Sequence, residues 1–250
     1  MITPSVFGVD IGGSGIKGAP VDVELGALAQ PRYKVPTPQP AKPEAVAAAV
    51  REVVEHFEHE GPVGLTFPGV VVDGHTRTAA NVDRSWLGLD AGTLFREALG
   101  TPAVLLNDAD AAGLAEMAHG AGRGEGGTVL VLTFGTGIGS ALFVDGNLVP
   151  NTELGHLELR GKDAERRASS AAKERHELSW AEWAVRVDEY LGLVERLLSP
   201  RLVIIGGGVS RKHEKFLPLL SERAARVVPA ELRNDAGIVG AAMGAARYGR

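Results

Sequence analysis

Short apolar runs broken by glycine alternate along the chain with longer Ala-, Val- and Leu-rich stretches of helical spacing. The first apolar run, residues 6–11, meets Gly12-Gly13-Ser14-Gly15 and resumes over residues 16–22, which predicts strand, glycine turn, strand. The same arrangement returns 123 residues later. VFGVDIGGSGIKGAPVD at 6–22 lies over VLVLTFGTGIGSALFVD at 129–145, with Gly12 on Gly135 and Asp22 on Asp145. An offset of nearly half the chain predicts a duplicated structural unit. A third short strand is expected after each copy, at 28–35 and 147–150.

Helix then alternates with strand. Residues 43–59 predict a helix opening on Pro43, and 63–67 and 104–107 predict short buried strands, the second followed by a helix over 109–119. In the second half, 180–198 predicts a helix and 202–205 an apolar strand; a helix over 236–247 could be capped by Asn234 or Asp235. This is an α/β fold with largely parallel sheets beyond each hairpin. GAGRGEGG at 120–127 predicts the connection, giving an N-terminal lobe at 1–122 and a C-terminal lobe at 123–250. Two similar lobes facing across a cleft would hold a small ligand there.

Composition narrows the functions. With 44% hydrophobic and 23% charged residues the chain reads as an ordinary globular protein of 250 residues. No apolar run approaches membrane-spanning length and the first residues carry no basic leader, so a cytoplasmic protein without a membrane partner is expected. The absence of cysteine excludes disulfides, thiolate metal sites and a cysteine nucleophile. A net charge of −5 argues against nucleic acid as a partner.

Gly13-Ser14-Gly15-Ile16-Lys17-Gly18 matches the dinucleotide fingerprint in spelling only. That fingerprint requires a helix to follow, and Ala19-Pro20-Val21 does not start one. Walker A spacing is absent. Both glycine turns, with Ser14 and Thr136 at their tips, are better read as a pair of hairpins whose backbone N–H groups close on phosphate oxygens. Gly12, Gly13, Ser14 and Lys17 are therefore candidate phosphate-donor contacts on one turn, and Gly135, Thr136 and Gly137 on the other. Asp10, ending an apolar strand, would either cap the turn or face a Mg²⁺–phosphate complex, with water between if need be. Gly206 and Gly207, after the strand at 202–205, would allow close approach of a donor.

The acceptor side is predicted at the apolar run ending in Asn107 and Asp108, since ligands gather at the carboxyl ends of parallel strands. Either residue can cap the following helix, which leaves the other for chemistry. A carboxylate here can accept the proton that a sugar hydroxyl loses during phosphoryl transfer. Glu153 and His156, three apart, can hydrogen-bond adjacent sugar hydroxyls. They could also ligate a metal, although no second histidine or cysteine stands nearby.

Asp10-Ile11-Gly12-Gly13-Ser14, Thr66-Phe67-Pro68-Gly69, Asn107-Asp108-Ala109, the run from Phe134 to Gly139 and Glu153-Leu154-Gly155-His156 together resemble the ROK family of sugar kinases and repressors. The resemblance runs from residue 6 to about 247. It implies the two-lobed, actin-like ATPase (ribonuclease H-like) fold, Asp108 as catalytic base, and Gly69, Asn81, Asn107, Glu153 and His156 as sugar contacts. It also implies a homodimer. Repressors of the family carry a helix-turn-helix ahead of the first strand, where this chain has five residues.

The chain departs from the family after Glu153-Leu154-Gly155-His156, where most members carry a zinc-binding cysteine cluster. Asp163 stands where the last cysteine would be, and Glu165 fits a further sugar-binding glutamate, so no zinc is expected. This departure, with the short chain, resembles one branch of the family, the polyphosphate glucokinases, with glucose as acceptor, Mg²⁺ as cofactor and polyphosphate or ATP as donor. Residues 160–175 hold six basic side chains against three acidic ones, and Lys162, Arg166 and Arg167 are the expected contacts to a long polyanion. An ATP-only kinase for glucose or a related hexose is the competing reading.

Overall fold

A computed structural model of the protein describes residues 6–79 and 82–249. The chain forms two compact units, Met1–Ala115 with Asp235–Arg250, and Glu116–Asn234.

In the first unit, β1 (Val6–Ile11) pairs antiparallel with β2 (Ile16–Asp22), which is extended by the short β3 (Ala27–Leu28) and β4 (Tyr33–Val35). Helix α1 (Pro43–Glu55) carries its proline at the first turn, where a missing N–H costs nothing. Strand β5 (Val63–Phe67) pairs parallel with β1; a small hairpin, β6 (Val71–Val72) and β7 (His75–Thr76), precedes α2 (Ala91–Leu99). Strand β8 (Ala103–Asn107) then adds parallel to β5, and α3 (Asp108–His119) follows at once. Phe7, Val9, Val46, Val50, Val53, Leu65, Phe67, Trp86 and Phe95 close the core between sheet and helices.

The second unit repeats this plan. Strand β9 (Thr128–Phe134) pairs antiparallel with β10 (Ile138–Val144), and β11 (Asn147–Val149) extends the pair. A small hairpin, β12 (Glu158–Leu159) and β13 (Lys162–Asp163), leads into α4 (Glu165–Ala168) and α5 (Ser170–Arg175). Helix α6 (Trp180–Leu198) opens on a capping box in which Ser179 and Glu182 satisfy each other's backbone N–H. Strands β14 (Leu202–Gly206) and β15 (Arg226–Pro229) add parallel beyond β9. The order β2-β1-β5-β8 in one sheet and β10-β9-β14-β15 in the other is the topological form of the 123-residue repeat. Leu130, Phe134, Trp183, Val187, Tyr190, Ile205 and Phe216 fill the second core.

The last helix, α7 (Ala236–Tyr248), packs on β1, β5 and β8. A single boundary between residues 122 and 123 would leave this helix with the second unit; its packing returns it to the first. Glycines make the seating close. A Cβ on Gly8 would lie 2.0 Å from the carbonyl oxygen of Ile238, and one on Gly64 1.7 Å from that of Ala241. Asp235 stands at the N-cap position but makes no side-chain cap there; its carboxylate pairs with Arg32 at 2.6 Å. The expected strand at 28–35 is two short strands, because a bend at Ala29-Gln30 and the following Pro31 interrupt it. Among the described residues no helix is long and apolar enough to cross a membrane.

One core contact is pH-sensitive. The His59 ring packs on Phe7, with centroids 5.2 Å apart, and its Nε2 is buried without a hydrogen-bond partner. Burial lowers its pKa below 6.5, opposed by a hydrogen bond to the Pro62 backbone. The unfolded chain therefore takes up this proton first. The contribution of His59 is intact above pH 6.5 and is lost as the pH falls from there through the lower folded value. Denaturation midpoints of the parent protein should drop across that window more steeply than those of His59→Phe. Parallel curves for the two proteins would refute the assignment.

Candidate active site

Asp10 is the penultimate residue of β1, and its register partner on β2 is Lys17. Their side chains form an ion pair at 2.9 Å, and the other Asp10 oxygen accepts a hydrogen bond from the Thr66 hydroxyl at 2.9 Å. Thr66 is fully buried and also accepts from the Ile11 N–H at 3.0 Å, so it fixes the carboxylate to the strand end. Charge compensation for this partly buried carboxylate thus comes from Lys17. The adjoining turn closes through Gly12 N–H to Gly15 O at 3.1 Å, leaving Gly13 and Ser14 exposed at its tip. Thr37 buttresses the turn from outside by donating to Gly12 O. The first residues of α7 are close by: a Cβ on Gly237 would lie 3.1 Å from the Asp10 carboxyl carbon.

The end of β8 separates the two roles that its sequence left open. Asn107 is buried, and its Oδ1 accepts from the N–H groups of Ala109 at 2.9 Å and Asp110 at 3.0 Å, while its Nδ2 donates to Gly69 O at 3.1 Å. It caps α3 and anchors the Gly69 turn. The next side chain, Asp108, is exposed, with one oxygen accepting from Ala109 N–H at 2.8 Å. Gly69 is itself required, since a Cβ would meet the Thr78 carbonyl oxygen at 2.7 Å. Asn81 lies outside the described residues.

In the second unit, Gly135 N–H closes its turn on Gly137 O at 3.0 Å and leaves Gly135 and Thr136 exposed. Glu165 reaches the same turn: its Oε2 accepts from Ile138 N–H at 3.2 Å, in space that a Cβ on Gly137 would occupy. Glu153 and His156 flank a 3₁₀ turn, Leu154–His156, with His156 Nε2 3.8 Å from Glu153 and Nδ1 3.4 Å from Asp163. Burial raises the Glu153 pKa; His156 opposes this and Glu165 adds to it. Burial also pushes the Tyr190 hydroxyl upward, with Glu165 adding to it.

His156, Asp163 and Glu165 each bring one potential ligand atom within 4.8 Å of the others, so His156 does have candidate partners, contrary to its isolated appearance in the sequence. Glu165 already holds the Ile138 amide and Asp163 lies 3.9 Å from Arg166. Gly206 ends β14, and Gly207 follows with φ +79° against the backbone of Phe134, where a Cβ would fall 2.4 Å from the carbonyl oxygen. Of the basic stretch, Arg167 pairs with Glu189 at 3.3 Å, Arg160 pairs with the same carboxylate, and Lys162 is exposed.

Sequence reasoning missed Thr66 and Thr37. Thr66 carried a signal, a hydroxyl inside the otherwise apolar run Val63–Phe67, and buried polar groups require partners.

A sequence profile of the ROK family matches residues 6–174. The polyphosphate glucokinase of Mycobacterium tuberculosis (strain ATCC 25618 / H37Rv) is 55% identical over 238 residues, covering 95% of this chain and 89% of the relative. Among solved structures, the inorganic polyphosphate/ATP-glucomannokinase of Arthrobacter sp. strain KM superposes with a TM-score of 0.94 at 53% identity, over 98% of this chain and 99% of that one. A ROK family glucokinase from Streptomyces griseus, in complex with glucose and AMPPNP, reaches a TM-score of 0.82 at 26% identity, over 96% and 98% of the two chains.

Proposed function

The chain belongs to the ROK family, and from that premise we propose that it is a polyphosphate glucokinase that moves a phosphoryl group from inorganic polyphosphate to the 6-hydroxyl of glucose. The carrying observation is the corner at the end of β8. There the buried Asn107 anchors the Gly69 turn and holds the first N–H groups of α3, and the exposed Asp108 carboxylate beside it is the group proposed for proton transfer. The glucose oxygen forms its bond to phosphorus while the bridging oxygen leaves with the shortened chain. Asp108 takes the hydroxyl proton.

Gly69, Asn81, Asn107, Glu153, His156 and Glu165 are the proposed sugar residues, Asn107 acting through Gly69 and the start of α3. The raised pKa of Glu153 suits a group that exchanges hydrogen bonds with hydroxyls rather than with a cation. For the donor, both glycine turns, Lys17, Gly206 and Gly207, and the cations of residues 160–175 are proposed. A single carboxylate already paired with Lys17 fits Mg²⁺ that keeps most of its waters, so Asp10 would hold the ion through water. The ion would neutralise charge on the donor phosphates. No zinc is part of the proposal. The enzyme is proposed to act as a cytoplasmic homodimer, with neither nucleic acid nor membrane as partner.

The Arthrobacter relative, whose name couples polyphosphate with ATP and glucose with mannose, favours a broader reading in which ATP and mannose are also accepted. Purified protein with glucose and Mg²⁺ should form glucose 6-phosphate from long-chain polyphosphate as sole donor. Product from ATP alone would leave only the ATP-dependent hexose kinase.

A further inference from the structure

We propose that Lys173 and Lys212, set against the ring of Trp180, bind the phosphates of a polyphosphate donor beyond the group being transferred, with Arg211 and Lys215 continuing the same track. This rests on the polyphosphate-donor reading above and relocates its main contact surface within residues 160–215.

The Lys173 ammonium lies 4.5 Å, and that of Lys212 5.9 Å, from the Trp180 ring centroid. The two charges are thus no more than about 10 Å apart, within one Debye length at about 0.1 M salt. Among the described residues, neither makes an ion pair. Two carboxylates on these segments have other partners: Glu182 caps α6 with Ser179, and Glu214 lies 3.6 Å from His213. Glu174 on α5 stands against Lys173 and Arg175, and Glu214 on the 3₁₀ segment Gly208–Lys215 against Arg211, Lys212 and Lys215. Within α5 and the 3₁₀ segment, five lysine and arginine side chains stand against two carboxylates in number. Trp180 compensates only in part, since an exposed cation–π contact contributes about 0.5–1 kcal/mol.

The arm that the sequence singled out is differently arranged. Glu189 takes both Arg160 and Arg167, and Asp163 lies beside Arg166. Three of the basic side chains there are matched within the fold, whereas the pair at Trp180 is left for an external anion.

Both lysine-bearing segments start at the second glycine turn. Ala171 N–H, in the first turn of α5, donates to Gly135 O at 3.0 Å. Gly207, which opens the 3₁₀ segment, packs on the backbone of Phe134, the residue before that turn. An anion chain seated at Gly135–Gly137 therefore has cations leading away from it on two adjoining segments. The platform between them is packed on aromatic rings: Trp180 stacks on Phe216 with centroids 6.0 Å apart and meets Trp183 edge-on at 5.7 Å.

The test is steady-state kinetics of the Lys173→Gln/Lys212→Gln double variant with long polyphosphate and with ATP, across a range of salt concentrations. KM for long polyphosphate should rise about tenfold, with a smaller change in KM for ATP and for glucose. The slope of log KM for polyphosphate against log salt should fall by about one to two, as expected when two cations leave a polyanion site. A Lys162→Gln/Arg166→Gln variant should change both quantities less. An unchanged polyphosphate KM and salt slope, in a parent enzyme active with polyphosphate, would overturn this inference alone. A parent enzyme inert toward polyphosphate would overturn the donor reading and the inference together.

Discussion

Asp108→Asn should bind glucose with an unchanged KM while turning over about 10²–10⁴-fold more slowly than the parent enzyme, the span expected for a positioned base. The structure explains why the effect should be confined to turnover. Asp108 accepts a hydrogen bond from Ala109 N–H, and an asparagine oxygen can keep it. Capping of α3 is shared with Asn107, whose carbonyl oxygen holds the N–H groups of Ala109 and Asp110. The helix start should therefore survive with little loss of stability. What disappears is the basic carboxylate oxygen for the sugar proton. Measuring kcat, glucose KM and the unfolding midpoint together separates these effects. Near-parental turnover in a folded variant would remove Asp108 from the base role.

The duplicated plan was legible because glycine and apolar spacing survive in both copies. Gly12 and Gly135 mark turns that close through similar backbone hydrogen bonds, and the strands around them are buried on both faces. Helix α2 was overlooked although its stop signals were present: Asp90 caps it by accepting from Thr93 N–H, and Gly100 ends it with φ +67°. Its nine residues are too few for periodicity to stand out. The return of α7 to the first sheet left no local trace, since Gly8, Gly64 and Gly240 read simply as small residues until their backbone neighbours are known. The same holds for charge. Residues 160–175 read as one basic stretch, yet the carboxylate that matches Arg160 and Arg167 comes from Glu189 on α6, and the partner of Lys173 at Trp180 comes from residue 212. Sequence gives the number of charges in a segment; only the fold gives their pairing.

Gly64→Ala should be among the most damaging single-methyl changes in the first unit. The added Cβ would sit 1.7 Å from the Ala241 carbonyl oxygen and 2.3 Å from its carbon, both backbone atoms of α7 that no rotamer change can move. Alanine would otherwise suit this position, since Gly64 has no positive φ and lies in a fully buried strand. Relief requires α7 to shift away from β5, opening packing around Leu65 and Ile238, both fully buried. Overpacking of this kind costs about 1–3 kcal/mol or more, against a gain of about 0.4–1 kcal/mol from restricting the unfolded chain. The shift should also reach the donor site, because Gly237 at the start of the same helix lies against the Asp10 carboxylate. The expected result is a lower denaturation midpoint together with weaker donor binding. Gly126→Ala, whose Cβ would find only the Asp145 carboxylate at 3.8 Å, should stay close to the parent in both. If Gly64→Ala unfolds at the same denaturant concentration as the parent, α7 does not seat its backbone against β5.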